Sequence, residues 1–159
     1  MTARGAMLLA LLFAGCSAPP PPPASVSFGG LPVSGSLADA KRAGFIDCVS
    51  PNWGSQRCRR HGVYLAGAGP YEAAVDLPDG GGFDELTLWH DGDQYAVYKI
   101  TDVLDRTGWR NCSTGDGERG DQIIYTKPGV AVRVSMDLSY WGKRRLRLLP
   151  ASNRKEKRC

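Results

Sequence analysis

The chain carries only two histidines, His61 and His90, so acid–base or nucleophilic chemistry would have to be assembled around one of them. Nucleophilic hydrolysis needs a serine or cysteine beside a histidine that a carboxylate orients, and no Gly-x-Ser-x-Gly elbow occurs. His90 stands next to Asp91 and Asp93, which read more simply as helix-capping and turn residues. Cys58-Arg59-Arg60-His61 has the spacing of half a tetrahedral zinc site, with Cys48 as a third ligand, but no fourth ligand presents itself. Asp84, Glu85, Asp116, Glu118 and Asp121 could be paired for glycoside cleavage, yet nothing in the pattern brings two of them to the required separation. Asp91-Gly92-Asp93 and the Asp116–Asp121 stretch lack the twelve-residue ladder of a calcium loop. The chain is therefore read as a non-enzyme, with no catalytic residue, no metal and no cofactor assigned.

Residues suited to gripping another molecule are easier to find. Trp53 is followed closely by Arg57, Arg59 and Arg60, and Tyr140-Trp141 precedes a second basic cluster. Aromatic and arginine side chains bury large area while keeping a polar handle, which makes them the usual anchors of protein interfaces. These six are the candidate partner-binding residues. Trp89 and Trp109 fall at positions read as core.

The 159 residues carry 20 Lys and Arg against 16 Asp and Glu, a net charge of +4. That is too little for a nucleic-acid binder. The N-terminus has one positive charge, an apolar run from Ala6 to Phe13, and then Phe13-Ala14-Gly15-Cys16. This resembles the lipobox of a bacterial lipoprotein signal, with Phe13 in place of the usual Leu. The resemblance implies cleavage after residue 15, acylation of Cys16 and a lipid bilayer as partner. Ser17 in place of Asp implies the outer membrane, facing the periplasm of a Gram-negative bacterium. Pro19 to Pro23 would form a stiff polyproline II spacer of about 3.1 Å per residue. Residues 16–25 are thus a lipidated linker, and 151–159 a basic, solvated tail.

An oxidising compartment makes Cys48, Cys58, Cys112 and Cys159 a set of two disulfides. Three pairings are open. Cys48 with Cys58 is favoured because they flank the turn-rich Ser50–Gly54 stretch, leaving Cys112 with Cys159.

Residues 26–150 remain for one folded domain, and they contain an echo. Gly44-Phe45-Ile46-Asp47-Cys48 and Gly108-Trp109-Arg110-Asn111-Cys112 share Gly, aromatic, two residues, Cys, and lie 64 positions apart (108 − 44). Ser36 and Asp39 predict a capping box opening a helix over 37–43, stopped by Gly44. Asp91 and Gln94 predict the same opening for a second helix bearing Val97, Ile100 and Leu104, stopped by Gly108. Strands are predicted over 62–66, 71–77 and 85–90, and again over 122–126, 130–136 and 144–149. Leu146 and Leu148 alternate with Arg145 and Arg147, the pattern of a sheet covered on one face.

The fold class is α+β, two helices with antiparallel sheet. The echo suggests a duplicated helix-plus-three-or-four-strand unit with halves 26–90 and 91–150, and coincidence is its alternative. This order of elements resembles small periplasmic lipoproteins of the outer-membrane assembly type and secreted beta-lactamase inhibitor proteins. The expectation is a membrane-anchored, non-catalytic binding module for another envelope protein, as assembly accessory, inhibitor or immunity protein. A cell-envelope hydrolase and a structural lipoprotein without a specific partner are the alternatives.

Overall fold

The structure, a computed structural model, describes residues 21, 23–51, 54–115, 120–137 and 144–153. Among them are two short helices and ten strands, an α+β fold dominated by antiparallel sheet. The helix α1 (Leu37–Arg42) begins with the capping box expected of its sequence: Ser36 Oγ accepts from the Asp39 backbone, and the Ser36 N–H donates to Asp39 Oδ2 at 2.8 Å. Hydrogen bonds from Ser36 hold the Asp39 carboxyl below the ordinary carboxylate range. The helix α2 (Tyr98–Arg106) opens differently from its predicted box. Its N-cap is Val97, with no side-chain cap. Asp91 Oδ1 instead accepts from Trp89 Nε1 at 3.1 Å, and Gln94 Oε1 accepts from the Arg144 backbone.

Both helices end in the same way. After α1, Gly44 adopts φ +85°, its N–H reaches the Lys41 carbonyl and the Phe45 N–H reaches the Ala40 carbonyl. After α2, Gly108 adopts φ +81° and the Trp109 N–H reaches the Leu104 carbonyl. This left-handed stop turns the next side chain back onto the helix's apolar stripe. Phe45 and Trp109 are accordingly buried in the core. The Gly-aromatic part of the echo is thus a shared way of stopping a helix.

A hairpin of β1 (Val26–Phe28) and β2 (Leu31–Ser34) precedes α1. Its turn, Gly29-Gly30, has φ of +58° and +80°, the sign at both central residues that matches strand twist in a two-residue turn. The remaining strands are β3 (Asp47–Val49), β4 (Gln56–Leu65), β5 (Ala68–Leu77), β6 (Leu86–Trp89), β7 (Arg110–Ser113), β8 (Gln122–Thr126), β9 (Val132–Asp137) and β10 (Leu146–Pro150). They form one antiparallel sheet in the order β3-β4-β5-β6-β10-β9-β8-β7. Each helix is followed by four strands, and the last strand of each set meets the other at the centre.

Partners in register share a face of the sheet. Cys58, Val75, Leu86, Leu148, Val134 and Tyr125 lie on one such line across β4, β5, β6, β10, β9 and β8. These residues, with Leu88, Leu146, Ile100, Leu104, Ala40 and Val33, make a single core between sheet and helices. Tyr71 spans it, donating to the Ala96 carbonyl at 2.8 Å, and its burial raises the phenol pKa above the ordinary 10.0. The next line over runs Arg59, Ala74, Thr87, Arg147, Ser135, Ile124 and Cys112 on the opposite face. Cys48, partnered with Cys58, lies on the core face, whereas Cys112 lies on the other. The register of the two halves therefore does not repeat with the 64-residue spacing.

Cys48 and Cys58 form a disulfide across β3 and β4, with Cys58 fully buried. Cys112 is likewise disulfide-bonded, and Cys159, the partner anticipated for it, lies outside the described residues. Two oxidised sulfurs rule out the zinc arrangement around Cys58 and His61. Pro23 and Ala24 meet Asp84, Pro150 and Asn153 around a small cavity, so both described ends of the chain lie at one end of the sheet.

Replacing both Cys48 and Cys58 with Ala reopens a ten-residue separation and is expected to lower unfolding free energy by about 2–3 kcal/mol, read by urea denaturation. The β4–β5 turn holds Ala66 at φ +53° before Gly67 at +77°. Asn tolerates that left-handed position better, so Ala66→Asn should stabilise the fold by about 0.5 kcal/mol in the same assay.

Candidate functional site

The face of the sheet away from the helices is not uniformly open. Over β8 to β10 its residues Ile124, Arg133, Ser135 and Leu149 are all under 5% exposed. Solvent-facing residues of this face include Arg110 and Thr126 at the β7 edge and a larger area over β4, β5 and β6 with the adjoining Arg145. There a shallow groove of about 430 Å³ is lined by Arg57, Arg59, His61, Glu72, Thr87, Trp89, Asp91 and Arg145.

Strand alternation places these side chains. In β6, Leu86 and Leu88 point to the core, so Thr87 and Trp89 point to the groove. In β5, Ala73 and Val75 point inward and Glu72, Ala74 and Asp76 outward. Ala74 sits between Arg59 and Thr87 in register, and its single methyl leaves the middle of the face low. The long strand β4 is irregular between Arg60 and Val63, where Gly62 adopts φ +66°. Such a bulge re-aims side chains.

The charged groups are fixed by one another. Arg57 makes a two-pronged contact with Asp76, Nε to Oδ1 at 2.6 Å and Nη2 to Oδ2 at 2.7 Å. Its hydrogen bonds to that carboxylate push the Arg57 pKa further up, so the guanidinium stays charged. His61 Nδ1 is hydrogen-bonded to Glu72 Oε2, and its Nε2 lies 3.8 Å from Asp47 Oδ2. Arg147 Nη1 lies 3.6 Å from Glu85 Oε2, which also carries the Thr87 hydroxyl on its other oxygen at 3.0 Å. At the far edge, Arg144 stacks over Tyr95 and Tyr98, 5.1 and 4.9 Å from the ring centroids.

Of the six residues nominated from the sequence, Arg57 and Arg59 come together in this groove. Arg60 does not: it turns to the helix side and donates Nη1 to the Ala43 carbonyl at 2.8 Å, capping the end of α1. Trp53, Tyr140 and Trp141 lie outside the described residues, as does Cys16. Trp89, taken for core, is instead half-buried on the groove wall, opposite Glu72 in register and lining the groove with Arg145. The alternation of Leu86 and Leu88 around it is the signal that could have placed it there. His61 lies within β4, exposed to solvent and hydrogen-bonded to Glu72. His90 Nδ1 accepts the Gly92 and Asp93 N–H groups at 3.1 and 2.8 Å, a turn-forming role.

Chemically the groove offers guanidinium donors, an indole wall and a histidine held by carboxylates. Among its described lining residues none is serine or cysteine. No group of three or more His, Cys, Asp or Glu residues among the described ones could hold a metal ion. Neither family models, nor curated proteins, nor solved structures match the chain.

The Arg57–Asp76 pair is solvent-exposed, with side chains 39% and 54% accessible, so its stabilising value is small whatever its geometry. A double-mutant cycle with Arg57→Ala and Asp76→Ala should give a coupling of at most about 1 kcal/mol in urea denaturation. A larger coupling would mark the pair as a structural strut.

Proposed function

We propose that this chain is a membrane-anchored periplasmic lipoprotein whose folded part is a non-catalytic binding module, docking another envelope protein on the open half of its sheet. The observation that carries the reading is the groove over β4 to β6. A half-buried tryptophan and three arginines sit there, Arg57 held by Asp76, and interface energy concentrates in such aromatic and arginine anchors. The sheet supplies rigidity, since every groove side chain stands on a strand or immediately beside one.

A cell-envelope hydrolase is the second reading, favoured by one contact: His61 held by Glu72 is the base-and-orienter half of a hydrolytic site. It ranks below binding because the groove's described lining supplies neither serine nor cysteine for His61 to activate.

The anchor rests on Phe13-Ala14-Gly15-Cys16 and the outer-membrane address on Ser17; Pro19 to Pro23 would then hold the domain off the lipid surface. The two helix-plus-four-strand halves are proposed as copies of one unit. Their shared element order and matching helix stops favour this, and the opposite faces taken by Cys48 and Cys112 weigh against it.

Affinity capture from detergent-solubilised envelope tests the binding reading. A stoichiometric protein partner is expected, lost on Trp53→Ala or Arg59→Glu; its absence, with turnover of cell-wall sugars abolished by His61→Ala, would favour the hydrolase. Cys16→Ala should move the protein from the membrane to the soluble fraction, and continued membrane fractionation would defeat the anchor.

A further inference from the structure

The ionic accounts of the groove do not close evenly, and the remainder points to what fits it. Asp76 is taken by Arg57, Glu72 by His61, and Asp91 by the Trp89 indole. Glu85 carries the Thr87 hydroxyl and faces Arg147. Asp47 lies within 3.8 Å of His61. Arg59 and Arg145, both exposed and both lining the groove, have no side-chain ion pair or hydrogen bond among the described residues. They stand on or beside strands three apart and are offset by two residues along them, about 16 Å at about 4.8 Å per strand and 3.4 Å per residue, with Ala74 and Thr87 as a low floor beside the diagonal between them.

We infer that the groove recognises an acidic protein segment, whose carboxylates bind the guanidinia of Arg59 and Arg145 across that floor while its aliphatic portions lie against Trp89. The assignment rests on the binding reading and adds the chemistry of the partner. A neutral apolar surface docked here would strip water from two guanidinia and return no acceptor. A basic segment would meet them as like charges, with Glu72, Asp76 and Asp91 already engaged. A carboxylate supplies charge-assisted, two-pronged acceptors of the geometry that guanidinium favours. The face as a whole is nearly neutral, so discrimination comes at contact, through these two side chains.

The test uses the full-length, ¹⁵N-labelled protein titrated with hexaglutamate and, separately, hexalysine, following arginine Nε–H and tryptophan indole signals by NMR. Saturable shifts at Arg59, Arg145 and Trp89 are expected with hexaglutamate and not with hexalysine. The Arg59→Gln/Arg145→Gln double variant should bind hexaglutamate at least about tenfold more weakly, while Arg42→Gln, on exposed α1, should bind as the parent does. Binding that survives the double substitution, shifts confined to other residues, or a preference for hexalysine would overturn the inference. Capture separates it from the broader reading. An envelope partner retained equally by the double variant defeats carboxylate recognition and leaves a binding module standing. Hexaglutamate binding with no envelope partner supports the chemistry and defeats the module.

Discussion

One-sided burial of the sheet is the constraint from which the rest follows. Eight antiparallel strands present two faces, and among the described residues two short α-helices and one hairpin are there to cover them. All three pack on the same side, where Leu86, Leu88, Leu146 and Leu148 meet Ile100 and Leu104. Residues facing the other way must then either be covered otherwise, as over β8 to β10, or tolerate water. Over β4 to β6 they tolerate water, and the groove is what that tolerance looks like: some charged side chains paired, others open to solvent, around a small-residue floor.

The sheet's dependence on its helix stops is equally physical. A six-residue helix such as α1 has almost no intrinsic stability, so it persists through its capping box at one end and the Gly44 turn at the other. That turn drives Phe45 into the core and launches β3, which is only three residues long and is held to β4 by the Cys48–Cys58 bond. Loosening the stop would unseat an aromatic core residue and free the sheet's edge together.

Much of this was legible in the sequence, and the losses have identifiable causes. The capping box at Ser36, both glycine stops, strand β8 and the inward leucines of β10 could be read because each depends on local chemistry or on a strict period of two. The opening of α2 could not, because Gln94 is recruited by the Arg144 backbone, fifty residues away in sequence. Arg60 was grouped with Arg57 and Arg59 because basic residues cluster in sequence, but successive strand positions face opposite ways, and its partner is a helix carbonyl. Trp89 was assigned to the core on its size, although the leucines flanking it already gave its face. Strands β1, β2, β3 and β7 escaped because three- or four-residue strands carry too little pattern. The groove's acid–base contacts, Arg57 with Asp76 and His61 with Glu72, arise from register between strands and have no signature along the chain.

The meeting of both described chain ends beside Asp84 and Pro150 has a consequence for how this molecule meets its surroundings. Trp89, Arg145 and His61 occupy the opposite end of the same strands, roughly five residues or about 17 Å away at 3.4 Å per residue. Pro23 and Asn153 therefore mark one pole of the domain, and the groove proposed for recognition lies toward the other. A label placed on Pro23 or Asn153 would sit at the pole away from the groove.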